Sequence, residues 1–327
     1  MKKQLLVLLP LFLSFCSYAQ TGVTWKNVDT AYGPLPQSVH VFDSRGAIDT
    51  APFRAFYLIA ELKDKSLDFS TDTVDKRRAT PKEFYNTDGQ PLVVMNTSFF
   101  SYETNRSLNI IMKDGKMLSY NTHQLVGRGK DTFTYRHVFG SALGISKERT
   151  ADVAWLYTDS TRKLPYAIQE PIGVWKDSIQ SIHFRKVNAQ KAILSAREEE
   201  IFTAWKMQTA IGGGPVLIQH GQVHITNEEE FRFAGKAIHD KHPRTAMGYT
   251  SDGHLILLVV EGRNPHAGGA TLQQEAELLK ELGCVEALNL DGGGSSCLLV
   301  NNKETIHPSD KEGERPVPAV FIISWIK

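Results

Sequence analysis

The residues best suited to chemistry lie in Asn289-Leu290-Asp291-Gly292-Gly293-Gly294-Ser295-Ser296, where an amide, a carboxylate and two hydroxyls surround three consecutive glycines. An apolar run precedes this stretch and Cys297-Leu298-Leu299-Val300 follows it, so a strand ends in a carboxylate, turns and restarts. Glycine in a regular element costs roughly 0.5–1 kcal/mol relative to alanine. Its use is a backbone at φ > 0, or one that something approaches closely. A plain tight hairpin with Asp as turn former is the alternative, but it needs one or two glycines rather than three.

Four more polar or glycine-rich clusters fall at strand ends: Asn96-Thr97-Ser98-Phe99-Phe100, Gly212-Gly213-Gly214-Pro215, His242-Pro243-Arg244-Thr245-Ala246 and Glu261-Gly262-Arg263. Glu261 closes the apolar run Leu255 to Val260, and Asp291 closes another. A carboxylate there is costly unless it is paired or reached by solvent, and Arg263 or Arg244 could pair with either. Taken singly each cluster has a bland reading: a rim salt bridge for Glu261 with Arg263, a structural arginine, a bulge at Gly212 to Gly214. Together they fit a ligand better. Two carboxylates near one pocket suit glycosyl chemistry. Arginines and glycine N–H groups suit a phosphate. The combination points to a substrate carrying both a sugar and a phosphate.

Other chemistries find no support. The sequence has no Gly-x-Ser-x-Gly elbow and no His-Glu-x-x-His, and Gly127-Arg128-Gly129-Lys130 runs into Asp131 instead of completing a P-loop. His220 and His224 flank Gly221-Gln222, a hairpin turn, and read as solvated or packed rather than as zinc ligands. The segment from Asn227 through Glu230 reads as a solvated face. With 37 Lys and Arg against 36 Asp and Glu among 327 residues, no charge excess argues for nucleic acid or an anionic membrane surface.

The start of the chain reads as a secretory signal peptide over 1–19. Lys2 and Lys3 precede an apolar run from Leu5 to Phe15, and Ser17-Tyr18-Ala19 supplies the small residues of a cleavage site after Ala19. Phe15 is too large for a lipid-attachment motif at Cys16. No later run approaches the ~20 apolar residues of a membrane span. A periplasmic or secreted protein is expected, with Cys284 and Cys297 as buried free thiols.

The positioning elements are mostly strands: Val39 to Phe42, Ala55 to Leu62, Leu67 to Phe69, Pro91 to Asn96, Ala287 to Leu290 and Ala319 to Ile326. Weaker strands fall around Ala151 to Tyr157 and Ala192 to Phe202. Asp114-Gly115 and Asp252-Gly253 mark hairpins. Thr80-Pro81-Lys82-Glu83 starts a short helix, and Thr271 with Gln274 forms a capping box for an amphipathic helix that Gly283 ends. The pattern predicts an α+β fold, a strand-rich mixed sheet with few helices, whose glycine-rich turns at strand ends form one cleft. Residues 20–205 and 206–327 are expected to make one continuous domain.

In this order the clusters resemble the phosphodiester glycosidase family, that of the lysosomal enzyme that uncovers a sugar phosphate by removing N-acetylglucosamine from a diester. The carrying segments are Ile211 to Pro215, Arg244 to Gly248, Glu261 to Arg263, Gly269 to Leu272, Leu288 to Ser296, and Pro308-Ser309-Asp310 leading to Glu314-Arg315-Pro316-Val317. Asn96 to Phe100 is similar to an upstream Asn-Gly-Gly-aromatic element, with Thr97 and Ser98 in place of the glycines, which predicts a bulkier, more polar pocket wall. The resemblance implies hydrolysis of a sugar-1-phosphodiester to a free sugar, GlcNAc-like, and a phosphomonoester. It assigns Asp291 and Glu261 to the anomeric carbon and Arg244, with Arg263, to the phosphate. Backbone N–H groups of Gly292, Gly293, Gly294 and Ser295 would form an anion cradle. Asn96, Asn289, Gly213, Gly214, Ser295 and Ser296 would complete the binding surface. The sequence requires no cofactor and leaves a divalent cation between Asp291 and the phosphate open. The expected partner is a small molecule or glycan bearing a phosphodiester. The alternative is a non-catalytic periplasmic protein that binds a glycan or sugar phosphate in exopolysaccharide assembly.

Overall fold

A computed structural model describes residues 21–173, 175–176, 183–184 and 201–326. The proposed signal peptide and residues 192–200 of one expected strand lie outside them. Among the described residues three larger sheets dominate, with short helices at Asp29–Tyr32, Pro81–Thr87 and Leu272–Glu281.

The central sheet runs Thr24–Asn27, Val39–Arg45, Ala55–Glu61, His254–Val260, Arg244–Thr250, Cys284–Asn289, Val216–Gln219, Gln222–Val223, each strand antiparallel to its neighbour. A second sheet centres on Ala151–Tyr157, Gly140–Ile145 and Thr209–Gly212, and a third on Val93–Asn96 between Leu298–Val300 and Ala319–Trp325. Parallel pairing is confined, among the described strands, to His183–Phe184 with Ile201–Ala204. The expected mixed sheet is therefore a set of antiparallel sheets, as the frequent Asp-Gly hairpins favour. At Asp114-Gly115 both residues have positive φ, 52° and 72°, the conformation a two-residue hairpin turn needs.

The main core fills the space between the sheets. Val41, Leu58 and Leu257 of the central sheet meet Leu143, Trp155 and Ile211 of the second and Val93 and Phe321 of the third. On the central sheet's other face the helix Leu272–Glu281 lays Leu272, Ala276 and Leu279 over Ala246, Ile256, Leu258 and Ala287. Burying one such Leu or Ile contributes roughly 1.5–3 kcal/mol. That helix opens with the expected box: the Gln274 N–H donates to the Thr271 hydroxyl and the Thr271 N–H to the Gln274 side chain, each at 3.1 Å. Thr80 and Glu83 repeat the arrangement before Pro81–Thr87. Gly283 follows the longer helix at φ 85°, where a side chain would be strained. Cys284 and Cys297 are buried free thiols, as expected.

Glu230 departs from expectation. It is 1% exposed and lies inside the molecule rather than on a solvated face. Its carboxylate accepts from the Ser141 hydroxyl at 2.7 Å, Trp155 Nε1 at 3.2 Å, the Val216 N–H at 2.9 Å and the Thr226 hydroxyl at 2.7 Å. It thus ties the second sheet to the central one. Three consecutive glutamates read as a solvated face in sequence, but one buried carboxylate with a full set of donors is an allowed exception.

Candidate active site

Antiparallel register brings the chemical residues to one end of the central sheet. Arg244 pairs with Val260, so Glu261 follows directly across from Pro243. Ala246 pairs with Asn289, so Asp291 emerges at the same end. The turn is then pinned from three sides. The Leu290 N–H donates to Thr245 O at 2.8 Å, the Asp291 N–H to Thr97 O at 2.8 Å, and the Gly293 N–H to Pro243 O at 2.9 Å.

The three glycines are needed because the protein's own groups crowd the turn. A Cβ on Gly292 would lie 2.7 Å from Pro243 O. Gly293 has φ 63°, and a Cβ there would lie 3.1 Å from the Arg263 guanidinium. At Gly294 a Cβ would collide with Arg315 and Asp310. The close approach read from the sequence is thus made, at least in part, by arginines brought up to the backbone.

Those arginines define the electrostatics. Arg315 holds Asp310 in a two-point pair at 2.7 and 2.9 Å and reaches the Ser295 hydroxyl at 3.4 Å. Arg244, 3% exposed, donates from Nε to Ala270 O at 2.9 Å and from Nη2 to Asp240 O at 3.2 Å. Arg263 is exposed, with Nη2 3.4 Å from His242 Nδ1. Burial pushes the Asp291 carboxyl up to about 7, against the Ser295 hydroxyl, the charge of Arg315 and the Gly292 N–H, which pull it down. A carboxyl poised there can give or take a proton near neutrality. Burial, with the charges of Arg244 and Arg263, holds His242 below its ordinary value, so its imidazole is neutral at pH 7.

Aromatic rings flank these groups. Arg244 lies 5.6 Å from the Phe233 ring centre, Phe233 meets Phe99 edge-on at 6.1 Å, and Arg232 lies 5.5 Å from Phe99. Tyr102, 61% exposed, lies 5.9 Å from the Arg315 guanidinium.

Several residues expected to touch substrate are instead committed to the protein. Asn96 is 0% exposed; its amide donates to Asp291 O at 2.6 Å and accepts from the Thr245 hydroxyl and the Cys297 N–H, each at 2.9 Å. Glu261 does not pair with Arg263 or Arg244. Its oxygens accept from Asn264 Nδ2 and the His307 N–H, each at 3.0 Å, with Arg54 at 3.5 Å. The Gly213 N–H donates to Ser141 O and the Gly214 N–H to Asn289 O, at 3.1 and 2.7 Å. The anion cradle is also largely used internally. Gly292 serves the Asp291 carboxyl, Gly293 serves Pro243 and Ser295 serves Gly292, which leaves the Gly294 N–H. Thr97 and Ser98 turn their hydroxyls inward, to Ala319 O at 3.1 Å and Ser107 Oγ at 2.6 Å, so neither makes the polar wall expected of it.

Unspent valences remain elsewhere. Asn289 donates to Gly214 O at 2.8 Å, but among the described residues its buried Oδ1 has no partner, and neither has the buried Ser296 hydroxyl. With Asp291, Arg244, Arg263 and Ser295 these are the expected residues that retain the capacity to bind. Arg315 and His242 join them without having been singled out as site residues. Both lay in segments marked by the sequence, but only the fold shows them facing Asp291 and Arg263. Phe233 carried no sequence signal at all.

A phosphodiester glycosidase family model matches residues 89–324. Over 122 residues the chain is 31% identical to mouse N-acetylglucosamine-1-phosphodiester alpha-N-acetylglucosaminidase, covering 35% of this chain and 23% of that protein. It is 41% identical over 85 residues to the SPbeta prophage-derived uncharacterized protein YomE of Bacillus subtilis (strain 168), covering 26% of this chain and 13% of that one. The matched segments are thus under a quarter of the length of either relative. The fold is shared with the zebrafish N-acetylglucosamine-1-phosphodiester alpha-N-acetylglucosaminidase catalytic domain, auto-inhibited by its pro-peptide, at TM-score 0.57 and 20% identity over 93% of this chain and 88% of that one. A hypothetical protein from Synechocystis also shares it, at TM-score 0.57 and 14% identity over 92% and 63%. With its sheet-end motifs and most of its length matched, the chain belongs to the phosphodiester glycosidase family.

Proposed function

We propose that the protein hydrolyses the glycosidic bond of a sugar-1-phosphodiester. Water adds to the anomeric carbon, the C1–O bond breaks, and the products are a free sugar and a phosphomonoester. The observation that carries this reading is Asp291, a carboxyl poised near neutrality at a sheet end where Arg244, Arg263 and Arg315 converge. The arginines favour an anionic substrate, and the phosphomonoester leaving group needs little protonation. Asp291 would activate the water or stabilise the oxocarbenium-like charge at C1. Arg244 and Arg263 would hold the phosphate by charge-assisted hydrogen bonds. Asn289 Oδ1 would accept from a sugar hydroxyl, the Ser295 and Ser296 hydroxyls would meet sugar or phosphate oxygens, and Phe99, Phe233 or Tyr102 would offer a ring face to the sugar. Glu261, engaged by three donors, is a positioning group in this account rather than a second reacting carboxylate.

A GlcNAc-like sugar is proposed from the names of the relatives, and export from the leader sequence. Among the described residues no helix is long and apolar enough to cross a membrane. Among the described residues, too, no group of three His, Cys, Asp or Glu side chains could hold a metal by itself. A divalent cation at Asp291 would therefore bind together with the substrate's phosphate.

The test is release of free sugar from a GlcNAc-1-phosphodiester by the purified protein, with and without chelator, beside p-nitrophenyl glycosides and Asp291→Asn. Turnover of the diester that the substitution abolishes supports the reading. Turnover of neutral glycosides alone contradicts the phosphate assignment, and tight binding without turnover favours a binding protein.

A further inference from the structure

Glu275, on the helix Leu272–Glu281, plays no part in the site so far. It is 0% exposed, and among the described residues both of its carboxylate oxygens lack a hydrogen-bond partner. The charge that acts on it is the Arg244 guanidinium, yet neither carboxylate oxygen accepts a hydrogen bond from that group. Arg244 is pinned by two carbonyl oxygens, and among the described residues no acceptor takes Nη1. A buried arginine normally has a carboxylate bound to it. Here the carboxyl is within the reach of the guanidinium's charge but makes no hydrogen bond to it.

We propose that Glu275 is a positioning residue whose proton leaves the charge of Arg244 available to an anionic substrate, and whose ionisation withdraws that charge. The inference rests on the reading of Arg244 as an anion-binding group and deepens it. An ionised carboxylate with no donor is the costliest state for a fully buried group, so burial pushes Glu275 up to about 8. At neutral pH it is protonated, and Arg244 keeps its full positive charge toward the site. As the pH rises through that value the pair becomes net neutral and anion affinity falls.

Other groups near the pair do not mask this change. Cys284, on the neighbouring strand, has its thiol pushed up to about 12. His242, held below its ordinary value, is already mostly neutral. Asp240 presents a carbonyl oxygen to Arg244, and Asp49 sits beyond Gln274, outside the helix start. Glu277, Lys280 and His220 lie on more open parts of the helix and its strands. Asp291 does titrate nearby and must be removed from the measurement.

The experiment is calorimetric binding on Asp291→Asn protein between pH 6.5 and 9.5. The probes are GlcNAc-1-phosphate methyl diester and sulfate, whose charges are constant over that range. Affinity should fall about tenfold toward pH 9.5, and Glu275→Gln added to this background should flatten the profile. Glu275→Leu should flatten it too, which separates charge from packing, and Arg244→Ala should abolish binding. Equal alkaline losses with and without Glu275 overturn the inference, as does an absence of Arg244-dependent binding by either probe. Arg244-dependent binding with the expected pH profile, but no sugar release by the unmodified protein, would sink the proposed activity and leave this inference standing.

Discussion

The side-chain amide of Asn96 donates to the backbone carbonyl of Asp291 at 2.6 Å, from a strand of a different sheet. The same side chain accepts from Thr245 and Cys297, so one residue fixes both ends of the glycine turn and the strand that carries Arg244. The candidate site is held by a buried clip from the third sheet, and the Asp291 carboxyl hangs from it.

Asn96→Ala should therefore act on the fold first. It leaves the Thr245 hydroxyl, the Cys297 N–H and the Asp291 carbonyl without their partner, at about 1–3 kcal/mol each before relaxation. Denaturant unfolding should show a loss of several kcal/mol. Sugar release should fall in kcat more than in KM, because Asp291 is misplaced while the arginines remain.

Removing Arg315 should move the protonation of Asp291. Its positive charge pulls that carboxyl down, so Arg315→Met lets burial raise it further. The limb of the pH–rate profile that reports Asp291 should shift to higher pH, whichever protonation state is active. An unmoved limb would mean that Arg315 serves only to hold Asp310.

Asp291 should also cost stability when ionised. Its folded-state value, about 7, lies above the ordinary 3.8, so between those values the folded state binds more protons than the unfolded one. Stability from this group then falls as pH rises through the window and is lowest above pH 7. Asp291→Asn should be more stable than the unmodified protein at pH 8, by roughly 4 kcal/mol at most, with the difference vanishing below pH 4. Thermal melts of the two proteins across that range check the sign directly.

Glu230→Ala should be among the most damaging substitutions away from the site. It strands the donors of Ser141, Trp155 and Thr226, while the Val216 N–H keeps the Thr226 hydroxyl at 3.1 Å, and it leaves the adjoining Arg232 with no carboxylate at 3.4 Å. Breaking a buried charged network in this way costs about 3–5 kcal/mol. Glu230→Gln should lose less, because the amide keeps an acceptor oxygen.

The meeting of these polar strand ends was legible in the sequence. Glycines and polar residues at the ends of apolar runs are expensive, and the fold brings the runs closing at Glu261 and Asp291, and the start of the strand at Arg244, to one end of one sheet. The division of labour was not legible. Asn96 and Asn289 look alike in sequence, both closing a strand, yet one amide is saturated by protein and the other keeps an unpaired oxygen. Hydrogen-bond partners separated by about 200 positions leave no local trace. Glu275 was hidden for a related reason. Its place beside the capping Gln274 carries no mark of burial, and only the packing against the central sheet shows that it is enclosed. The hairpin turns and both capping boxes were legible because their chemistry is complete within a few residues.

The central claim is that the bond broken is the one between the sugar's anomeric carbon and oxygen, and hydrolysis in 18O-labelled water tests it most directly. With a GlcNAc-1-phosphodiester as substrate, mass spectrometry should find the label in the released sugar, with an unlabelled phosphomonoester. Label in the phosphate product would mean attack at phosphorus, and the assignment of Asp291 to glycosyl chemistry would be wrong.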